Sequence, residues 1–214
     1  MVKKKRMKKK SKIILIVLVV VILVAVDAVL MLRKNPSDKK VKEAKVVSKI
    51  DNYGYSLKND KSKEYKKLFA ELKKELSKKE VNEEEYAKLI TKMFIVDFYS
   101  LNDRKAKTDI GGVDFVHEKA LDNFVLNAED TFYKYVESNI YNDRKQDLPI
   151  VDKITIDEVK NEEFSYLEEI DENAFVVTAS WTYKDESKAK GYQKEGVFTF
   201  VHVGEKLCLV EITE

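Results

Sequence analysis

The sequence predicts an α+β domain behind an N-terminal transmembrane helix, with about three helices packed on a four-stranded antiparallel meander. Three observations carry this expectation. One unbroken apolar run lies near the N-terminus, apolar residues recur every three or four positions from Ser62 to about Asn139, and the period changes to two after Pro149. The 214 residues suit one ordinary domain plus an appendage, and 44% apolar content excludes global disorder.

Residues 1–12, MVKKKRMKKKSK, hold eight basic side chains and no acid, and read as a cytoplasmic tail. Residues 13–32 carry one charge, Asp27, and span about 30 Å as a helix. Dense Lys/Arg at one end keeps that end in the cytoplasm, so a single-pass anchor with an extracytoplasmic C-terminal domain is expected. A cleaved signal peptide with Val26-Asp27-Ala28 as its site is the rival. Val29 to Leu32 continue the apolar run past that site and favour the anchor. Asp27 lies about 7–8 Å of helix rise from the outer end of the run. It either pairs within the membrane, as an interaction residue, or reaches the outer interface.

Residues 33–60 are polar and Lys-rich, with Pro36 and Gly54, and read as a linker or stalk before a domain at 61–214. Tyr65, Leu68, Phe69, Leu72 and Leu76 make the first helical stripe. Asn82 and Glu85 have capping-box spacing and open a second helix, with Tyr86, Leu89, Ile90, Met93, Phe94, Asp97, Phe98 and Leu101 on one face. After a Gly111-Gly112 loop, a third helix runs through Leu121, Phe124, Ala128, Phe132 and Val136 towards Asn139. The strand period begins at Ile154 and Ile156. It continues in Phe175 to Tyr183, in Val197 to Val203 and, beyond a Gly204-Glu205 turn, in Leu207 to Ile212.

Outside the first 32 residues, 32 basic residues face 37 acidic ones, so the basic tail is local. It is short and lacks aromatics for base stacking, so no nucleic-acid partner is expected. A single cysteine, Cys208, excludes a disulfide framework, a Cys-rich zinc module and an iron–sulfur cluster. With only His117 and His202 besides, neither metal nor cofactor is expected. No G-x-S-x-G, H-E-x-x-H or phosphate-cradling glycine loop occurs, and the domain reads as non-enzymatic.

Asp97 interrupts the apolar stripe of the second helix. A carboxylate there is costly unless paired or hydrogen-bonded, and desolvation would raise its pKa. Its candidate partners are a Tyr hydroxyl, Arg104 or backbone amides. The other reading is that Asp97, Trp181 and His202 line a ligand pocket. Gly111-Gly112 precedes a helix and reads as a plain turn or an anion cradle. The tetrapeptide Asn-Asp-Arg-Lys occurs at 102–105 and at 142–145, making Arg104 and Arg144 candidates for helix C-capping or for an anionic docking point. Tyr133, Tyr135 and Tyr141 beside the second copy could form a contact surface.

Three helices before an antiparallel meander, behind one anchor, resembles the nuclear-transport-factor-2-like (cone-shaped α+β) superfamily. In layout it is similar to the anchored assembly factors of type IV secretion and conjugation systems. The stretches TDIGGVDF (108–115) and DTFYKYVESNIYNDRKQDLP (130–149) resemble a family of anchored proteins of low-GC Gram-positive bacteria to which no activity is attached. In superfamily members that are enzymes, an acid in the cone often serves as a general base. The expected function is an extracytoplasmic protein-interaction or envelope-assembly module with an envelope protein or a second copy as partner. The alternative is a small-ligand-binding or enzymatic domain with a pocket near Asp97.

Overall fold

The computed structural model describes residues 44–213; the basic tail, the apolar run and Asp27 lie outside the described residues. The first element is a small hairpin, β1 (Val46–Ile50) and β2 (Tyr55–Lys58), turned by a 3₁₀ segment and Gly54 at φ +71°. The expected stalk up to residue 60 is corrected here. Tyr53 and Tyr55 are buried, and the Tyr55 hydroxyl meets that of Tyr86 at 2.7 Å and donates to the Leu207 carbonyl at 3.2 Å. A polar, Lys-rich segment is thus fastened to the domain by two tyrosines, too few to give a periodic signal.

Helix α1 (Lys63–Leu76) opens on Ser62, whose hydroxyl accepts the Tyr65 amide. Helix α2 (Glu83–Tyr99) opens on Asn82, whose side chain accepts the Glu85 amide, with three glutamates in its first turn favoured by the helix dipole. α1 packs on α2, and α2 packs on the sheet. That middle position buries α2 nearly all round from Tyr86 to Tyr99. Phe94 is fully buried among the rings of Phe98, Tyr99, Phe124 and Phe198, with centroids 5.2 to 6.4 Å away. Each such side chain contributes about 1.5–3 kcal/mol of hydrophobic stabilisation.

Helix α3 (Glu118–Asp130) is shorter than its apolar period suggests. Thr131 leaves the helical region, its hydroxyl bonds back to the Asn127 carbonyl at 2.6 Å, and residues 131–135 form turns. The periodic Phe132 and Val136 belong to that turn segment.

Strands β3 (Val151–Tyr166), β4 (Glu169–Tyr183), β5 (Glu195–Val203) and β6 (Lys206–Thr213) form one antiparallel sheet in that order, the expected meander. Phe175, Val177, Ala179, Trp181 and Tyr183 alternate inward as predicted, none more than 5% exposed. A register shift at Thr199/Phe200 leaves Val210 of β6 outside the ladder, and Leu207, Cys208 and Leu209, which pair regularly with β5, are all buried. The two-residue turn Leu167-Glu168 places Leu167 at φ +58° with 64% of it exposed, a bulky residue in a conformation that favours Gly or Asn. Among the described residues no helix is long and apolar enough to cross a membrane.

Candidate functional site

Asp97 lies in the last turn of α2, where the helix dipole disfavours a negative charge, and only 5% of it is exposed. Three separate segments supply its partners. Lys61, from the loop before α1, places Nζ 2.6 and 2.7 Å from the two carboxylate oxygens. Arg104, beyond α2, donates from Nη2 to Oδ1 at 2.9 Å, and the Gly112 amide donates to Oδ2 at 2.9 Å. Burial pushes this carboxyl up. The Arg104 and Lys61 charges with the Gly112 amide outweigh that push and hold it below its ordinary value. The expectation of a raised pKa is therefore corrected. Arg104 is 7% exposed, and its pKa is raised because the Asp97 charge outweighs desolvation.

The glycine pair explains how the loop comes so near. A Cβ on Gly111 would sit 2.1 Å from the Asp97 carbonyl oxygen, and Gly112 turns at φ +76° against the Phe94 ring. Of the pair, Gly112 alone donates its amide to an anion, the chain's own Asp97 carboxylate, while Gly111 permits the close approach. Tyr133 closes the knot from behind: its hydroxyl donates to the Phe98 carbonyl at 2.6 Å and accepts the Gly111 amide at 3.1 Å. Tyr133 is fully buried, so it is no part of a contact surface. Tyr135 and Tyr141 are 77% and 47% exposed.

The two tetrapeptides meet. Arg144 donates to the carbonyls of Arg104 and Asn102 at 2.9 and 2.8 Å, and the Asn139 amide donates to the Lys105 carbonyl at 2.6 Å. The second copy therefore clasps the backbone of the first. Both guanidinium groups are engaged inside the domain, Arg104 with a carboxylate and Arg144 with carbonyls, and Arg104 is also the C-cap of the 3₁₀ turn Leu101–Asp103, its amide donating to the Leu101 carbonyl at 3.1 Å.

The cleft above Asp97 has a volume of about 140 Å³ and is lined by charged side chains, Lys61, Arg104 and Asp109 among them. Trp181 and His202 do not share it. Trp181 is 3% exposed, packs 4.4 Å from the Tyr99 ring and donates to the Tyr183 hydroxyl at 3.1 Å. His202, on β5, bonds through Nδ1 to Asp171 at 2.8 Å, and the same carboxylate accepts its amide at 2.7 Å. His117 caps α3, with Nδ1 accepting the Lys119 amide at 3.1 Å. Cys208 is buried, which raises its thiol pKa and makes it a poor nucleophile. Among the described residues no group of three or more His, Cys, Asp or Glu is arranged to hold a metal ion.

A larger feature went unread in the sequence. Between α3 and β6 runs an open groove of about 560 Å³ with Phe98, Tyr99, Phe124 and Phe132 as apolar walls and Asn123, Asn127, Gln193 and Glu211 as polar ones. It shares Thr131, Phe132 and Gln193 with a second trough of about 460 Å³, beside Tyr135 and Tyr192. The signal was present but ambiguous: Phe124 and Phe132 fit a helix core equally well. Comparison with protein-family models, with curated proteins and with solved structures returns no match.

Proposed function

We propose that this chain is a single-pass membrane protein of nuclear-transport-factor-2-like layout, its N-terminus cytoplasmic. On this reading the domain from residue 44 onward is a non-enzymatic interaction or assembly module outside the cytoplasm. It docks an envelope protein or a second copy along the groove between α3 and β6, and uses no cofactor and no nucleic acid. The apolar run at 13–32 with its basic flank supports the anchor. The observation that carries the docking role is the long open groove itself, which mixes aromatic and amide groups and ends beside the 77% exposed Tyr135. Asp97 supports the non-enzymatic reading, because an ionised carboxylate with both oxygens occupied is a poor general base.

The test is crosslinking of the full-length chain in intact cells followed by mass spectrometry, with Tyr135→Ser compared in parallel. A reproducible envelope partner that is lost in Tyr135→Ser is expected. A reporter fused after Glu214 should be active only outside the cytoplasm; cytoplasmic activity contradicts the topology. A second reading, small-ligand binding, is favoured by the groove's volume and aromatic walls. Retention of a small molecule by the purified chain, with no crosslinked partner, would select it.

A further inference from the structure

Helix α1 turns a basic face to solvent. At about 100° per residue, Lys63, Lys66, Lys67, Lys73 and Lys74 fall within an arc of about 120° that holds no acid. Glu64, Glu71 and Glu75 gather beyond its edge. The β1–β2 hairpin extends this face. Lys73 Nζ donates to Ser48 Oγ at 3.1 Å and Lys66 Nζ to the Asn59 carbonyl at 2.7 Å, so the exposed Lys45, Lys49 and Lys58 adjoin the stripe. Asp51 lies at the hairpin turn, and Asp60 is paired with Lys105 at 3.3 Å.

Apolar side chains sit in the same face. A register shift between Val46 and Ser48 leaves Val47 outside the ladder, and two successive valines stand 47% and 59% exposed beside these lysines. The opposite charge is concentrated elsewhere. The β3–β4 hairpin from Val151 to Phe175 carries nine acids and two lysines. α1 and this hairpin belong to different layers, with α2 between α1 and the sheet. The domain is thus electrically polar, and a charged surface would orient it.

We propose that the α1 and β1–β2 face rests on anionic lipid headgroups, with Val46 and Val47 at the interface and the acidic hairpin turned away. This rests on the anchored reading above. The chain joins the domain at this face, where Lys45 and Asn59 exchange hydrogen bonds at 2.9 Å. The apolar run ends at Leu32, and the twelve residues from Arg33 to Ala44 reach at most about 40 Å. Each lysine near an anionic surface adds a modest attraction that salt screens.

The experiment uses the full-length chain in lipid discs of phosphatidylcholine alone or with about one-third phosphatidylglycerol, and reads lysine labelling by an amine-reactive reagent. Labelling of Lys63, Lys67, Lys74 and Lys49 should slow about threefold or more in the anionic discs and recover at high salt, while Lys153 and Lys160 of β3 stay unchanged. In a variant with Lys63, Lys67 and Lys74 replaced by Glu, protection of Lys49 and Lys58 should vanish at unchanged melting temperature. Equal labelling in the two lipids overturns the proposal. Protection in both lipids that grows with protein concentration also overturns it and gives the face to a second copy. A chain that does not co-elute with discs refutes the anchor and the proposal together.

Discussion

Helices α2 and α3 differ by only four residues in length, yet α2 is buried nearly all round while Ala128 is the one buried residue of α3. The last turn of α2 holds Asp97 with charged and backbone partners on both carboxylate oxygens. Its neighbour, α3, leaves one side of its apolar stripe as the wall of an open groove. Polar groups inside a fold become structure when every lone pair is satisfied, whereas apolar groups left half covered remain available to a partner.

That contrast can be broken in order of expected effect. Asp97→Asn should destabilise the domain by about 3–5 kcal/mol at neutral pH, because it strands the buried Arg104 and the part-buried Lys61. The sign with pH follows from the lowered folded pKa. The ion set contributes fully above the ordinary carboxylate range of about pH 4, and its contribution is lost as pH falls through the folded value. Denaturant titrations across pH should therefore show wild type and variant converging in strong acid. Gly111→Ala drives a methyl into the Asp97 carbonyl and should lose about 1–3 kcal/mol, read as a lower melting temperature.

Tyr133→Phe leaves the Gly111 amide and the Phe98 carbonyl without that hydroxyl and should lose about 1–2 kcal/mol in the same assay. Leu167→Gly relieves a left-handed leucine and should raise stability by up to about 1 kcal/mol. Tyr135→Ser, on the open side of the comparison, should change stability by less than about 0.5 kcal/mol yet remove the crosslinked partner.

Periodicity made the α+β order and the inward face of β4 legible in the sequence, and residue type did so for the cap at Asn82 and the Gly204-Glu205 turn; the Ser62 cap was seen only in the structure. Asp97 was legible as a carboxylate in an apolar stripe, with Arg104 and backbone amides among its candidate partners. Lys61 was not, since nothing local marks one lysine among many as the partner of a residue 36 positions away. The clasp of one Asn-Asp-Arg-Lys segment on the other was visible as a repeat and obscure in meaning, because carbonyl acceptors leave no trace in side-chain identity. The stalk misled for a related reason. A hairpin fastened by Tyr53 and Tyr55 in a Lys-rich context has linker composition but buried anchors. The groove stayed hidden because its walls come from α2, α3, the turn after α3 and β6, and only the assembled fold brings these together.

The central claim is that the Asp97 cleft is structural and the α3–β6 groove is where the partner docks. A photo-crosslinking amino acid placed at single positions in living cells tests it most directly, comparing Asn123 and Asn127 in the groove with Lys58 and Lys105 at the cleft. Adducts with one partner from the groove positions and none from the cleft are predicted; adducts from the cleft positions alone would contradict the account.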